Sequence, residues 1–285
     1  MEIQKVIKAY SLSEALKALK EHAGNCEVIA GGTDLSVKIR EGHNKNEVLV
    51  DITDLEELLG ISISENEIRI GSAAKYGDLV ANAEIKKILP GLWDASNSVG
   101  APQIRNLGTI GGNIANGSPA ADSIPPLLAL DARITIKNLE SERIVRLEDI
   151  YLGKGKVDIK EDEIIVDIII DRPSAKLNVE FEKLGLRNAL AISRLSTSVY
   201  LDLDGDVIKT VRVGSGSLGL YPLREPVLED FLTGKTLNAD LIKLGSSKYS
   251  DIVAERLNGR STCEFKREAV KGVFEAAMGR ILANL

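Results

Sequence analysis

The spacing of apolar residues changes several times along the first part of the chain, which predicts short strands alternating with helices. Apolar positions recur at helical spacing over 12–19, behind Ser11 as a predicted helix cap. YGDLVANAEIKKIL at 76–89 predicts a further helix that ends before Pro90. The apolar run at 48–52 and the alternating segment at 67–74 predict strands, and EDEIIVDIIID at 161–171 is a strong strand signal. The first part of the chain therefore mixes helices and strands.

The second part of the chain has a different pattern, in which alternating segments come first and helical segments follow. We predict a domain boundary after Pro173, which divides the chain into domains at 1–173 and 174–285. A mixed first part and a second part of sheet followed by helices predict an α+β fold. The predicted strands of the second part lie in NVEFEKLGL, RLSTSVYLDLDGD and VIKTVRVG, and Asp204-Gly205 predicts a hairpin turn.

Composition excludes several classes of function. The 285 residues contain 44% hydrophobic residues, which is enough for a sizeable core, but only 4% aromatic residues. Low aromatic content and a net charge of −6 argue against nucleic-acid binding. The only cysteines are Cys26 and Cys263 and the only histidines are His22 and His43, so we predict no disulfide framework and no metal site. Two reduced thiols, no leader-like N-terminus and no long apolar run predict a cytoplasmic protein.

Two short motifs imitate nucleotide-binding sites. GSGSLG at 214–219 matches the dinucleotide fingerprint, but Pro222 argues against the helix that must open there, so we predict a tight turn after a strand. TGKT at 233–236 resembles the end of a P-loop, but Glu229 stands where the first glycine is required. No acid–base or nucleophile constellation stands out, and we predict no catalytic side chain.

Two Gly-Gly pairs share one local pattern. Gly31-Gly32 and Gly111-Gly112 each follow an apolar approach and precede a small polar residue, Thr33 or Asn113. Glycine permits close approach of the backbone to a ligand, and successive N–H groups form a concavity that suits phosphate oxygens. Neither loop contains lysine or arginine, which favours a cofactor diphosphate bound by neutral donors. The alternative is that both pairs are simple turns.

Both loops stand in longer segments that resemble a known family. AGGTDL and, more specifically, GAPQIRNLGTIGGNIANGSPAADSIPPLLALDA are similar to the FAD-binding medium subunit of molybdenum hydroxylases, the group of xanthine, nicotinate and carbon monoxide dehydrogenases. The resemblance covers nearly the whole chain. Its further segments are YSLSEALKAL, VDITDLEEL, IRIGSAAKYGDL, DEIIVDIII, FEKLGLRNALAIS and YPLREPVLEDFLTGK.

The resemblance implies a fold and a set of cofactor-binding residues. The fold would be an FAD-binding domain of two α+β subdomains (PCMH-type), followed by a C-terminal domain with a three-stranded antiparallel sheet and a helical bundle. Asp122 would contact the polar chain of FAD, and Val99, Ile165 and Lys183 would lie near the cofactor, the last two near its flavin ring. Residues of the two loops would hold FAD at its diphosphate: Ile29, Ala30, Gly31, Gly32, Thr33, Asp34, Leu35, Thr109, Ile110, Gly111, Gly112 and Asn113.

The resemblance also implies a function within a complex. Substrate would be oxidised at molybdopterin on a large subunit, and electrons would pass through [2Fe-2S] clusters on a small subunit to FAD on this chain. NAD or another acceptor would then receive them. This chain lacks the cysteines of the family branch that inserts a cluster in this subunit. The alternatives are a free-standing flavoenzyme with its own substrate pocket and a non-redox nucleotide-binding regulatory module.

Overall fold

Three hydrophobic cores organise the part of the chain that the structure describes. A computed structural model describes residues 2–173, 178–187 and 189–285. Within these ranges, one buried apolar cluster belongs to the first sheet, a second to the central sheet and a third to the C-terminal sheet and helices. The predicted boundary after Pro173 adjoins residues 174–177, which lie outside the described residues, so its position stays a prediction.

The first subdomain is a parallel sheet with helices, and its strand order is β1-β3-β2. Apolar residues of helix α1 pack on this sheet, and Ser11 caps the helix as predicted, since its hydroxyl accepts from the Glu14 N–H at 3.2 Å. Strand β2 leads straight into the first Gly-Gly loop. The elements are β1 (Lys5–Lys8), α1 (Leu12–Glu21), β2 (Cys26–Ile29), α2 (Leu35–Arg40), β3 (Val48–Asp51) and a 3₁₀ turn (Glu56–Leu58).

The second subdomain begins with two strands and then a run of short helices. The predicted helix over 76–89 is broken at Asn82, because the Asn82 side chain accepts from the N–H groups of Glu84 and Ile85 and so starts a new helix. These elements are β4 (Ile61–Ile63), β5 (Glu67–Gly71), α3 (Tyr76–Ala81), α4 (Ala83–Ile88), α5 (Pro90–Ser98), α6 (Pro102–Arg105), α7 (Ile110–Asn116) and α8 (Ile124–Ala129).

An antiparallel sheet of order β4-β5-β10-β6-β7 closes the second subdomain. Strand β10 is the segment that the sequence marks as strongly β, and it lies at the centre of this sheet. Its central position explains its nearly continuous apolar sequence. The remaining elements are β6 (Arg133–Lys137), β7 (Glu142–Arg146), a 3₁₀ turn (Leu147–Ile150), β8 (Tyr151–Gly153), β9 (Lys156–Val157) and β10 (Ile164–Asp171).

The C-terminal domain is an antiparallel sheet covered by long helices. In the residues described from 178 onward its strand order is β11-β12-β13-β14, so a two-residue strand is added to the predicted three. Gly205, at φ +58°, makes the predicted hairpin turn. The elements are β11 (Asn178–Leu184), β12 (Leu195–Asp204), β13 (Val207–Gly216), β14 (Leu223–Arg224), α9 (Pro226–Leu232), α10 (Ala239–Arg256) and α11 (Cys263–Ala283).

The glycines of GSGSLG lie where the C-terminal sheet packs on helix α8. Gly214 and Gly216 belong to β13, and a Cβ atom on Gly214 would lie 2.1 Å from the carbonyl oxygen of Pro125. The next helix after this segment begins at Pro226, and no helix opens at Gly219. Gly214 and Gly216 thus lie within the strand, and the predicted turn begins only after it, at Ser217 with φ +58°. Gly214 serves close backbone packing. No helix among the described residues is long and apolar enough to cross a membrane.

Candidate cofactor site

A cavity of about 860 Å³ lies between the first two subdomains, at the end of strand β2. Its volume is in the range of sites that hold a large organic ligand. Most of the predicted cofactor residues line it, and three do not: Ile110, which is buried in the core, and the pair Asp122 and Lys183. The predicted residues that line the cavity are Ile29, Ala30, Gly31, Gly32, Thr33, Asp34, Leu35, Val99, Thr109, Gly111, Gly112, Asn113 and Ile165.

The first Gly-Gly loop is packed against the second through its first glycine. A Cβ atom on Gly31 would lie 1.8 Å from the carbonyl oxygen of Leu107, so only glycine lets the two loops meet. Gly32 has φ +67°, a backbone conformation that L side chains rarely adopt. Together the two glycines turn the chain from β2 into α2 along the cavity wall.

The backbone of the first loop offers hydrogen-bond donors to the cavity. The N–H groups of residues 30–34 have no acceptor among the residues that the structure describes. Thr33 also lines the cavity, and its hydroxyl has no partner among the described side chains and backbone. A row of free donors on a half-buried wall suits an anionic ligand with several oxygen atoms.

The second loop has the same glycine pattern but no comparable row of donors. The N–H groups of Ile110 and Gly111 donate to the carbonyl oxygens of Ala74 and Ser72, at 3.1 and 2.8 Å. Thr109 caps helix α7, so its hydroxyl accepts from the Gly112 N–H at 3.1 Å, and its carbonyl oxygen accepts from the Asn113 N–H at 3.1 Å. The helix cap and the strand end therefore occupy the N–H groups of 110–113, and the binding of FAD through backbone donors of the second loop stays a prediction.

At the second loop, the side-chain amide of Asn113 offers the cavity a hydrogen-bond donor. The Ser123 hydroxyl lies 2.9 Å from Asn113 Oδ1 and 2.9 Å from the Tyr76 hydroxyl. Because Oδ1 can only accept, Ser123 donates to it, and Tyr76 then donates to Ser123. The opposite amide orientation would leave the proton of either the Ser123 or the Tyr76 hydroxyl without an acceptor among the described residues. The Asn113 Nδ2 atom, which has no partner among the described residues, is thus a donor at the cavity wall.

Asp122 and Lys183 pair with each other behind the cavity. The Lys183 Nζ atom lies 2.5 Å from Asp122 Oδ2 and 3.2 Å from the carbonyl oxygen of Ser98, and the Ser193 hydroxyl donates to Asp122 Oδ1. Burial raises the pKa of Asp122 above its ordinary value, against the opposing effect of the Lys183 ammonium. Ser98 precedes the cavity residue Val99, so the bond from Lys183 links this pair to the cavity wall and ties β11 to the second subdomain.

Sequence reasoning missed several residues of the cavity wall. Lys38 stands one helical turn beyond Asp34, and this spacing is the one signal that could have placed it at the site. Ser72 directly follows strand β5, and Tyr76 begins helix α3. Nothing in the sequence connects these two residues to either loop. The other missed lining residues include Ile104, Asn116, Val157, Lys160 and Glu163.

Comparison with known proteins assigns the chain to a family. Residues 1–173 match the model of the FAD binding domain in molybdopterin dehydrogenase, and residues 181–281 match that of the CO dehydrogenase flavoprotein C-terminal domain. The chain belongs to the FAD-binding family of molybdopterin dehydrogenases. It is thereby an FAD-binding medium subunit of the molybdenum hydroxylase family, within the oxidoreductases.

Individual relatives agree with this assignment over almost their full length. The chain is 34% identical to the nicotinate dehydrogenase FAD-subunit of Eubacterium barkeri, covering 90% of this chain and 88% of that protein. It is 30% identical to the xanthine dehydrogenase FAD-binding subunit of Escherichia coli O157:H7, covering 97% and 95%. Its structure superimposes on reconstituted CO dehydrogenase from Oligotropha carboxidovorans with a TM-score of 0.91 at 25% identity, covering 99% and 98% of the two chains.

The cavity fits the FAD of this family on its own chemistry. The diphosphate of FAD needs several donors close together, and the free N–H groups of 30–34, the Thr33 hydroxyl and Asn113 Nδ2 supply them. Ser72 also lines the cavity, and its buried hydroxyl has no hydrogen-bond partner among the described residues. Gly32 and Gly112 leave the wall open where side chains would narrow it. Among the described residues, no group of three or more His, Cys, Asp or Glu is placed to hold a metal ion.

Proposed function

We propose that this chain is the electron-transferring FAD subunit of a multi-subunit molybdenum hydroxylase. The observation that supports it best is the row of free N–H donors at 30–34 beside a cavity large enough for FAD. When bound, FAD accepts electrons singly or in pairs and passes them on. The chain itself binds and orients the cofactor, which agrees with the predicted lack of a catalytic side chain.

We assign roles to the predicted residues on this basis. The first loop, from Ile29 to Leu35, would hold the diphosphate through backbone donors and Thr33. In the second loop, Thr109 to Asn113, the contribution would be an open glycine surface and the Asn113 side-chain amide. Val99 and Ile165 would give apolar walls to the flavin end. The Asp122–Lys183 pair would fix the backbone behind Val99 through Ser98.

The proposed partners are a large subunit with molybdopterin and a small subunit with [2Fe-2S] clusters. Membership of the molybdopterin dehydrogenase family and the similarity to CO dehydrogenase from Oligotropha carboxidovorans support a molybdenum partner. The two cysteines of this chain are too few for a cluster of its own. NAD or another acceptor would take the electrons from FAD. Cys26 and Cys263 are free thiols, and the cytoplasmic location expected from them belongs to the same proposal.

Anaerobic flavin bleaching tests this proposal. The purified chain loaded with FAD should keep its flavin absorbance at about 450 nm when a purine, nicotinate or a similar heterocycle is added, because the substrate site would lie on another subunit. Addition of the molybdopterin and iron–sulfur subunits should restore bleaching with the substrate of the complex. Bleaching of the single chain by a heterocycle would contradict the proposal and favour a free-standing flavoenzyme with its own substrate pocket.

A further inference from the structure

One lysine on the cavity wall is held between the two helices that follow the Gly-Gly loops. Lys38, Lys45 and Lys160 all line the cavity. Of their ammonium groups, that of Lys38 donates to Asn116 Oδ1 on helix α7 at 3.0 Å. The sequence placed no cation at either loop, so this ammonium group is an addition that the fold makes to the site.

The position of Lys38 directs its charge toward the loops. Lys38 lies four residues after Asp34 at the start of α2, and Asn116 lies four residues after Gly112 in α7. Side chains on a helix lean toward its N-terminus, so both of these side chains lean toward the Gly-Gly loops. The hydrogen bond between them joins α2 to α7 at the cavity wall, one helical turn beyond the loops.

The charge of Lys38 is not neutralised by a neighbouring side chain. Over residues 2–173, 178–187 and 189–285, no carboxylate oxygen lies within 4.0 Å of its Nζ atom. Glu27, Asp34, Glu161 and Glu163 also line the cavity, and none of them forms an ion pair with Lys38; Glu163 pairs with Arg143 at 2.9 Å. An ammonium group without an ion-pair partner, beside free N–H donors, can form a charge-assisted hydrogen bond to an anionic ligand.

We propose that Lys38 is the charge partner of the FAD diphosphate and that Asn116 is the positioning residue that holds its ammonium group. This inference rests on the proposed binding of FAD in the cavity. It replaces the expectation of purely neutral donors with a site that combines neutral backbone donors and one cation. Lys38 thereby makes the site selective for the phosphorylated form of the flavin over riboflavin.

Titration of FAD-free protein with FAD and with riboflavin tests the assignment. Lys38→Met should weaken FAD binding about tenfold at low salt, because a charge-assisted hydrogen bond is lost. The loss should shrink at about 0.5 M salt, where an exposed charge is screened. Riboflavin, which has no phosphate, should bind Lys38→Met as it binds the wild type. Lys38→Arg should bind FAD nearly as well as the wild type.

A matched charge control and a double variant sharpen the test. Lys87→Met removes an exposed cation outside the cavity and should leave the affinity for FAD unchanged. Asn116→Ala should weaken FAD binding about threefold through the lost ordering of Lys38, with no further effect in the Lys38→Met background.

Each contrary result has a distinct meaning. Equal FAD affinity of Lys38→Met and the wild type would overturn the assignment. An equal loss of riboflavin and FAD binding in that variant would also overturn it, because Lys38 would then only shape the cavity. Failure of the wild-type chain to bind FAD at all would overturn the proposed function itself, whatever the variants do.

Discussion

In both Gly-Gly loops the two glycines line the cavity, and only the first also packs closely against protein backbone. A Cβ atom on Gly31 would lie 1.8 Å from Leu107 O, and one on Gly111 would lie 2.5 Å from Ser72 Cβ and 2.7 Å from Ser72 O. Gly32, at φ +67°, and the exposed Gly112 have no such backbone contact. The shared sequence pattern therefore corresponds to a shared steric arrangement.

The loops differ in the hydrogen bonds of their backbone. The N–H groups of 110–113 are all bonded within the protein, whereas those of 30–34 have no acceptor in the described chain. The second loop lies beside the residues that follow strand β5, and it begins helix α7 with the Thr109 cap. Carbonyl oxygens after β5 and the cap therefore accept hydrogen bonds from its N–H groups. A glycine pattern therefore indicates close backbone approach, while the availability of N–H donors depends on what packs beside the loop.

Glycine substitutions should produce the largest effects and should separate the two positions of each pair. Gly31→Ala and Gly111→Ala should each cost about 3 kcal/mol of unfolding free energy, because a new methyl group meets fixed backbone. Gly32→Ala should cost about 1–2 kcal/mol through its positive φ and should also reduce flavin content. Denaturant unfolding and the flavin-to-protein absorbance ratio measure the two effects.

Gly112→Ala is the matched variant in the second loop. Its Cβ atom would meet only the Thr109 hydroxyl, at 2.8 Å, so a loss of about 1 kcal/mol is expected. If Gly31→Ala or Gly111→Ala were as stable as the wild type, the close backbone packing of the first glycine in both loops would be contradicted.

Threonine substitutions should give smaller effects that distinguish the loops. Thr109→Val removes the cap of α7 and should cost about 1 kcal/mol of stability. Thr33→Val removes a hydroxyl with no partner in the described protein, so stability should change by less than about 0.5 kcal/mol while FAD binding weakens about fivefold. Thermal unfolding and FAD titration check the pair. Equal stability losses in both variants would show that Thr33 also has a structural partner.

The sequence predicts the fold and the cavity better than it predicts the bonding within the cavity. Apolar periodicity, the Ser11 cap and the Asp204-Gly205 turn depend on neighbouring residues, so local pattern suffices for them. The pairing of Asp122 with Lys183 joins positions 61 residues apart, and only the packing of β11 beside α5 and α8 creates it. Resemblance correctly grouped most loop residues at one cavity but gave no information on their donors.

The role of Lys38 at the cavity also depends on tertiary packing that the sequence does not reveal. Its residue type and helical position are visible in the sequence, but its bond to Asn116 spans 78 residues and depends on how α2 and α7 converge. Sequence reasoning confined to the Gly-Gly loops therefore predicted a neutral site. The tertiary structure adds the cation from a neighbouring turn.

Amide hydrogen exchange with and without FAD tests whether the N–H groups of the first loop bind FAD, because it observes the donors of both loops in one experiment. Without FAD, the amides of 30–34 should exchange quickly and those of 110–113 slowly, since only the latter are bonded within the protein. Saturation with FAD should slow exchange at 30–34 by about tenfold or more and change 110–113 little. If FAD slowed exchange at 110–113 and left 30–34 unchanged, the account of the site would be contradicted.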